Sequence, residues 1–209
     1  MTDGPVTDGP VTDGPQSDAP QTGAPQTGAP QTDAPQADGP QPAVPVDRDG
    51  FRAAMSRYPT GVTVVTARGR HPHAMTANSV TSVSLDPPTL LVCLEQDSRV
   101  HDAVLDDGRF GVSVLAADQT RVSSWLASRG RPLVGQLSRV PTVTGAVLGL
   151  PLVRGSLVRM ECEVEAAHPA GDHTIVVGAV RGLELDGDVE DAAPLVWFAS
   201  GYRGLTGPL

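Results

Sequence analysis

Lysine is absent from the 209-residue sequence, so every one of its fifteen basic side chains is an arginine. This absence excludes lysine Schiff-base chemistry and the phosphate-binding lysine of a P-loop. Cysteine is scarce: Cys93 and Cys162 each lie in an apolar, strand-like run without metal-ligand spacing, so we expect free, buried thiols. His71 and His73 flank Pro72 without a third ligand nearby, and we predict no metal site.

Long apolar runs and several signature motifs are also missing. No stretch has the length of a transmembrane helix, and neither GxGxxG, GxSxG nor HExxH occurs. The formal charge is −9, and the six aspartates of residues 1–46 leave only −3 on the remainder, so we expect no basic face for nucleic acid. We therefore predict a soluble, cytoplasmic protein with neither a membrane nor a nucleic-acid partner.

The first 46 residues form a pentapeptide repeat with a proline at every fifth position from Pro5 to Pro45. The repeat contains no aromatic residue, no leucine or isoleucine and no basic residue, so it has almost nothing to bury. Regular proline also excludes a helix. We predict a disordered, Pro/Asp/Gly-rich tail that solubilises or tethers the protein, with docking to a partner protein as the alternative.

From residue 47 to residue 209 the pattern is that of one mainly β domain. Helical spacing occurs over residues 49–58 and 97–105 and from Asp118 or Thr120 to Leu126. Strands are expected at 61–68, at 73 onward, and at 89–95, 110–115, 156–167, 173–185 and 195–199, with a Gly/Pro-rich excursion at 129–151. Without a repeated strand–helix–strand unit, this order favours a β-barrel over a Rossmann sheet.

The most informative segment is residues 73–88, which carries five hydroxyls and one amide within nine positions and ends at a double proline. No charged residue stands between His73 and Asp86, so a solvated loop is not expected. A short strand that enters an ordered, neutral polar loop would suit a flat, uncharged ring whose edge needs many hydrogen bonds. A Ser/Thr-rich edge strand with a turn explains the composition equally well.

A second polar cluster, Asp97-Ser98-Arg99, stands at the predicted start of a helix. The helix dipole, free N–H groups, a hydroxyl and a guanidinium would converge there on an anion, and His101 adds a donor one turn later. Asp and Ser are also favoured N-caps, and a capping serine can still face a phosphate.

The third cluster is the turn Gly171-Asp172-His173-Thr174, which places a titratable imidazole at the beginning of a strand. An imidazole at that position could meet a ligand. An exposed turn histidine without a function is the alternative for this cluster.

Together these elements resemble the flavin reductase-like family, the FMN-binding split barrels, over about residues 50–204. The resemblance rests on six motifs in the family's order: Phe51-Arg52 through Pro59-Thr60-Gly61-Val62-Thr63, Met75-Thr76-Ala77-Asn78-Ser79, Ser82-Val83-Ser84-Leu85-Asp86-Pro87-Pro88, Ser98-Arg99-Val100-His101, Gly171-Asp172-His173 and Gly201-Tyr202-Arg203. The excursion at 129–151 departs from the family because it lacks the Phe and Trp residues expected there.

The resemblance implies a homodimeric Greek-key split β-barrel with a few short helices. It also implies an NAD(P)H:flavin oxidoreductase that reduces FMN or FAD with NADH or NADPH and supplies reduced flavin to a separate flavin-dependent monooxygenase. His173 would bind the nicotinamide as the catalytic residue. The implied cofactor-binding residues are Tyr58, Thr60, Thr76, Asn78, Ser79, Ser82, Ser84, Ser98, Arg99, His101, Tyr202 and Arg203.

Two alternatives to a flavin reductase remain open at this stage. One is a flavoprotein oxidoreductase that keeps its flavin tightly bound and acts on another substrate. The other is a non-catalytic flavin-binding module, because fold alone does not fix function.

Overall fold

A computed structural model describes residues 46–187 and 193–205. The predicted disordered tail therefore lies outside the described residues, except for Val46. Three short helices accompany the strands: α1 (Arg48–Met55), α2 (Arg99–Asp107) and α3 (Thr120–Ala127). Twelve strands are formed: β1 (Thr60–Gly61), β2 (Thr63–Ala67), β3 (His73–Ala77), β4 (Thr81–Leu85), β5 (Pro88–Glu95), β6 (Arg109–Val114), β7 (Thr142–Thr144), β8 (Pro151–Val153), β9 (Val158–Ala170), β10 (His173–Leu185), β11 (Val196–Phe198) and β12 (Gly201–Arg203).

Seven strands form one antiparallel sheet in the order β3-β2-β6-β9-β10-β5-β4. Strands that are far apart in sequence are neighbours in this sheet: β2 pairs with β6, β6 with β9, and β10 with β5. A three-stranded sheet, β1-β11-β12, and the hairpin β7-β8 complete the described part. The predicted mainly β split barrel with a few short helices is confirmed.

Strand β2 shows why the barrel forms, because all five of its residues are buried. Side chains alternate between the two faces of a strand, so β2 supplies two hydrophobic clusters at once. Val65 packs in a cluster that contains Phe110 of β6 and Val104 of α2. Val64 packs in a second cluster, which contains Leu126 of α3. The helices thus cover the two faces of a fully buried strand, and this arrangement positions α2 and α3 beside β3.

In β9, polar residues at positions 159, 161, 163 and 165 alternate with apolar residues, a pattern that predicts an exposed polar face. Glu161 departs from this pattern, because only 3% of its surface is exposed. Its carboxylate accepts hydrogen bonds from the backbone N–H groups of Val147 (2.8 Å), Leu148 (2.9 Å) and Leu150 (3.1 Å). Three donors satisfy a charge that burial alone would make costly.

The excursion at 129–151 is more ordered than its Gly/Pro content indicates. It contains a short 3-10 helix (Gln136–Arg139) and strand β7, whose partner β8 begins at Pro151. Strand β12 was not predicted, because the three residues that follow the turn Ala199-Ser200 give no periodicity. The apolar positions of α1 are exposed and none of its residues is buried. No helix among the described residues is long and apolar enough to cross a bilayer.

Candidate functional site

Three pockets lie side by side along β3 and the residues that follow it. The arginine pocket, about 280 Å³, is lined by Met75, Thr76, Glu95, Asp97, Ser98, Arg99, Val100 and residues 126–131. The aromatic pocket, about 140 Å³, is lined by Val62, Thr76, Asn78, Ser123, Ala127, Trp197 and Tyr202. The α1 pocket, about 580 Å³, is lined by Met55, Tyr58, Pro59, Thr60, Gly61, Thr63, Asn78, Ser79, Val80, Thr81 and Val114.

Two residues of β3 and its continuation join these pockets into one groove. Thr76 lines both the arginine pocket and the aromatic pocket, and Asn78 lines both the aromatic pocket and the α1 pocket. Residues two apart on an extended strand point to the same side, so Thr76 and Asn78 present their side chains in sequence along the groove. An elongated ligand with different chemistry at its two ends would fit this arrangement.

The arginine pocket is built on the first turn of α2. Ser98 is the N-cap: its backbone is extended and its Oγ accepts a hydrogen bond from the N–H of His101 at 3.2 Å. The cap therefore exists as the sequence predicts, and Ser98 and Arg99 also line the pocket. At this end the helix dipole is positive, which favours an anion.

Two guanidinium groups are close together in this pocket. Arg99 donates from Nη2 to the backbone carbonyl of Arg131 at 2.8 Å. Burial, followed by the charge of Arg99, lowers the pKa of Arg131. Burial also lowers the pKa of His73 in β3, with further contributions from Arg99 and His71, so His73 is held neutral beside the cations.

The aromatic pocket is walled by the two rings of Trp197 and Tyr202, which meet edge to face with centroids 5.1 Å apart. The Tyr202 hydroxyl donates to Ser123 Oγ at 2.9 Å and accepts from Ser124 Oγ at 3.2 Å. Thr76 Oγ1 in turn donates to the carbonyl of Ser123 at 2.7 Å. These bonds tie β12, α3 and β3 together and hold the pocket wall in place.

The α1 pocket brings together four of the predicted residues, namely Tyr58, Thr60, Asn78 and Ser79. The Ser79 hydroxyl is used within the fold, since it donates to the carbonyl of Cys93 at 3.0 Å and accepts from its N–H at 3.2 Å. Thr60 differs: its Oγ1 is buried and has no hydrogen-bond partner. A buried hydroxyl without a partner is costly unless a ligand provides one.

Five predicted residues do not line any of these three pockets. Ser82 and Ser84 lie on β4, where Ser84 Oγ accepts from the N–H of Asp86. Arg203 lies on β12 and donates to the carbonyl of Tyr202. His101 lies on α2 with its Nε2 3.0 Å from Thr174 Oγ1 and its Nδ1 3.1 Å from Asp102, so its ring is used within the fold.

His173, the fifth predicted residue that lines none of the three pockets, is the first residue of β10. It pairs with Glu95 of β5, which lines the arginine pocket, so His173 stands at the edge of the groove. Its Nδ1 lies 2.7 Å from Asp172, and 43% of the side chain is exposed. The hydrogen bond from His173 and its charge lower the pKa of Asp172, which therefore remains a carboxylate that orients the ring. The second ring nitrogen forms no hydrogen bond with the described residues.

Among the groove residues that were not predicted as site residues are Ser123, Arg131 and Trp197. Arg131 lies in a segment without a periodic or motif signal, and Trp197 lies in a predicted strand whose pattern does not indicate that its ring faces a ligand. Ser123 is one of two adjacent serines in α3, and the sequence does not indicate which of them faces β3.

Comparison with known proteins gives consistent results. A family model described as the flavin reductase like domain matches residues 55–206. The NADH-dependent FAD reductase of Streptomyces globisporus is 42% identical over 137 residues, which cover 65% of this chain and 75% of that protein. The NADH-dependent flavin reductase StyB of Pseudomonas fluorescens is 35% identical over 170 residues, which cover 80% and 95% respectively.

Solved structures agree with this assignment. The crystal structure of BorF, the flavin reductase component of a bacterial two-component tryptophan halogenase, matches with a TM-score of 0.72 and 47% identity, and the match covers 78% of this chain and all of that one. The chain therefore belongs to the flavin reductase-like family.

Proposed function

We propose that this member of the flavin reductase-like family reduces FMN or FAD with NADH and supplies the reduced flavin to a separate oxygenase. Two of the relatives described above are named NADH-dependent reductases, one of FAD and one of flavin without further specification. The third, BorF, is named as the flavin reductase component of a two-component system. NADH is a cytoplasmic reductant, and a cytoplasmic location is part of the proposal.

One observation carries this function: the groove offers unmatched hydrogen-bond donors at both of its ends. Among the described residues, the two buried side-chain polar atoms without a partner are Thr60 Oγ1 and Arg131 Nε. Thr60 lines the α1 pocket and Arg131 lines the arginine pocket. A flavin nucleotide has a polar ring edge at one end and a phosphate at the other, so it matches both.

In this assignment the neutral polar residues hold the ring and the cations hold the phosphate. Thr60, Asn78 and Ser79 lie around the ring edge, with Tyr58 at the wall of the same pocket. Ser98, Arg99 and the first turn of α2 hold the phosphate. Thr76, between the two, faces the connecting chain. His101 supports the phosphate end because its N–H donates to Ser98 Oγ, and Tyr202 walls the aromatic pocket and bonds Ser123. Ser82, Ser84 and Arg203 lie outside the three pockets and take no direct part in this assignment.

The bound flavin supplies the redox chemistry, in which a hydride passes from the nicotinamide C4 to flavin N5 and a proton completes FMNH₂ or FADH₂ with release of NAD⁺. The task of the chain is to align the two rings and exclude water, which needs no strong acid or base. This requirement agrees with a groove of hydroxyls and amides. His173, oriented by Asp172, binds the nicotinamide side at the groove edge.

The experiment that tests this function is NADH oxidation measured at 340 nm with purified protein and added FMN, FAD or riboflavin in turn. We expect turnover that depends on the added flavin. Turnover that needs no added flavin but a further substrate would identify a flavoprotein oxidoreductase with tightly held flavin. Bound flavin that NADH does not reduce would identify a binding module. Either of these results would overturn the proposal.

A further inference from the structure

Arg131, which lines the arginine pocket, is a cation without an anionic partner among the described residues. Its guanidinium donates from Nη2 to the carbonyl of Ala74 at 3.1 Å and from Nη1 to the carbonyl of Ser128. Its Nε is buried and has no partner. No carboxylate of the described residues lies within 4.0 Å of Arg131 or of Arg99. Two uncompensated cations therefore share one pocket.

The carboxylates that line the same pocket do not cancel this charge. Glu95 is paired with Arg129 at 3.3 Å on the solvent side. Asp97 precedes the N-cap of α2 and forms no ion pair with any described residue. Repulsion between Arg99 and Arg131 is relieved only when an anion enters between them. The protein keeps this repulsion in its free state, which is typical of a ligand site and not of a structural ion pair.

The segment that carries Arg131 is fixed to β3, so the side chain does not rely on solvent for its position. Gln136 is buried, and its Oε1 accepts from the N–H of Ala74 at 3.4 Å. Trp125 Nε1 donates to the carbonyl of Gln136 at 2.9 Å. The Gln136 end of the segment 128–136 is thus attached both to Ala74 of β3 and to Trp125 of α3. A guanidinium held in this way binds phosphate with less loss of side-chain freedom than a mobile arginine.

We propose that Arg131 is a second phosphate ligand of the flavin, beside Arg99, and that this pair makes the enzyme select phosphorylated flavins over riboflavin. The inference rests on the proposed function and adds a residue and a specificity to it. The shared chemistry is a phosphate ester on the ribityl chain, which FMN presents as a terminal group and FAD as part of a diphosphate. Arginine suits both because its planar donors pair with phosphate oxygens.

The test compares the dissociation constants of FMN, FAD and riboflavin for the wild-type protein, Arg131→Gln and Arg131→Lys, by titration of the intrinsic tryptophan fluorescence. We expect Arg131→Gln to weaken FMN binding at least tenfold and to change riboflavin binding less than twofold. Arg131→Lys keeps the charge and should recover part of the loss. A loss for FAD of the same size would show that both nucleotides use the site, and a loss for FMN alone would assign it to the terminal phosphate.

Arg139→Gln is the matched control, because it removes the same charge from the same excursion, where Arg139 lies over the ring of Trp125 outside the pocket. Its FMN affinity should stay within twofold of the wild type. Equal losses of FMN and riboflavin in Arg131→Gln, or no loss of either, would overturn the role of Arg131. If Arg99→Gln still weakens FMN in that case, the proposed function stands without Arg131. If the wild type does not oxidise NADH with any flavin, the proposed function itself fails.

Discussion

His173 illustrates how a neighbouring residue can orient a single side chain towards a ligand. Asp172 is exposed, yet it contacts Nδ1 at 2.7 Å and so fixes the direction of the imidazole. The turn Gly171-Asp172 brings both residues to the edge of the groove, and Gln96 donates to the carbonyl of His173 at 2.9 Å. Asp172 therefore orients the ring, while Gln96 and the pairing with β5 fix the backbone that carries it.

We predict that His173→Ala raises the KM for NADH about tenfold while the affinity for flavin changes less than twofold. A tenfold change corresponds to about 1.4 kcal/mol, near the upper range of one hydrogen bond. Steady-state kinetics at saturating flavin measures the first quantity, and fluorescence titration measures the second. His168→Ala is the control, since His168 is exposed on the same hairpin, opposite Ile175. An unchanged KM in His173→Ala would show that His173 is an exposed turn residue without a role in NADH binding.

The residues of the candidate site differ in how far the sequence reveals them. Ser98 and Arg99 could be predicted because helix capping and anion binding use the same residue types at the same place. Arg131 could not, because its environment depends on a carbonyl of β3, 57 residues earlier in the chain. In a chain with fifteen arginines, composition alone does not separate a ligand from a surface charge.

At the scale of elements, Glu161 controls the turn between β7 and β8. Its Oε1 accepts from Leu148 and Leu150 and its Oε2 accepts from Val147, so both carboxylate oxygens are used. The close approach also explains Gly145, since a Cβ at that position would overlap the Glu161 carboxylate. The turn has no hydrophobic pattern of its own, and hydrogen bonds to one buried carboxylate hold it in place instead.

We predict that Glu161→Gln destabilises the protein by about 1–3 kcal/mol, because one of the two oxygens becomes an NH₂ group that faces a backbone donor. For a domain of this size the melting temperature should fall by several degrees, measured by circular dichroism. Glu163→Gln is the control: Glu163 lies two residues further on β9 and pairs at the surface with Arg181 at 3.0 Å. Its effect should stay below about 1 kcal/mol. Equal melting temperatures for wild type and Glu161→Gln would contradict this role.

The strands that sequence predicts well are those with a long, regular pattern. β10 occupies residues 173–185 as expected, and β9 differs by two residues at its start and three at its end. The hairpin β7-β8 was missed because its order comes from the buried Glu161 and not from local periodicity. The exposed apolar face of α1 has a different cause: a helical pattern predicts which residues share a face, but not what covers it.

At the scale of the whole molecule, one end of β10 carries two neighbouring exposed apolar side chains. Leu183 and Leu185 are 60% and 68% exposed and share one face of the strand, since they are two residues apart. Val147, which is 59% exposed, packs beside Gly182. On the edge strand β4, Leu85 is 89% exposed. Single exposed apolar residues are ordinary, whereas neighbouring ones on an unpaired edge favour an interface.

The family resemblance implies a homodimer, and with two-fold symmetry such a dimer would bury this surface with one kind of contact. We predict that the wild-type protein has the mass of two 21.6 kDa chains in light scattering. The double variant Leu183→Glu/Leu185→Glu should have the mass of one, because burial of like charges that have no partner in the interface opposes association. Leu133→Arg, at a position that is 57% exposed on the 129–151 excursion, should remain a dimer. A double variant that keeps the wild-type mass would move the interface away from β10, and a monomeric wild type would exclude it.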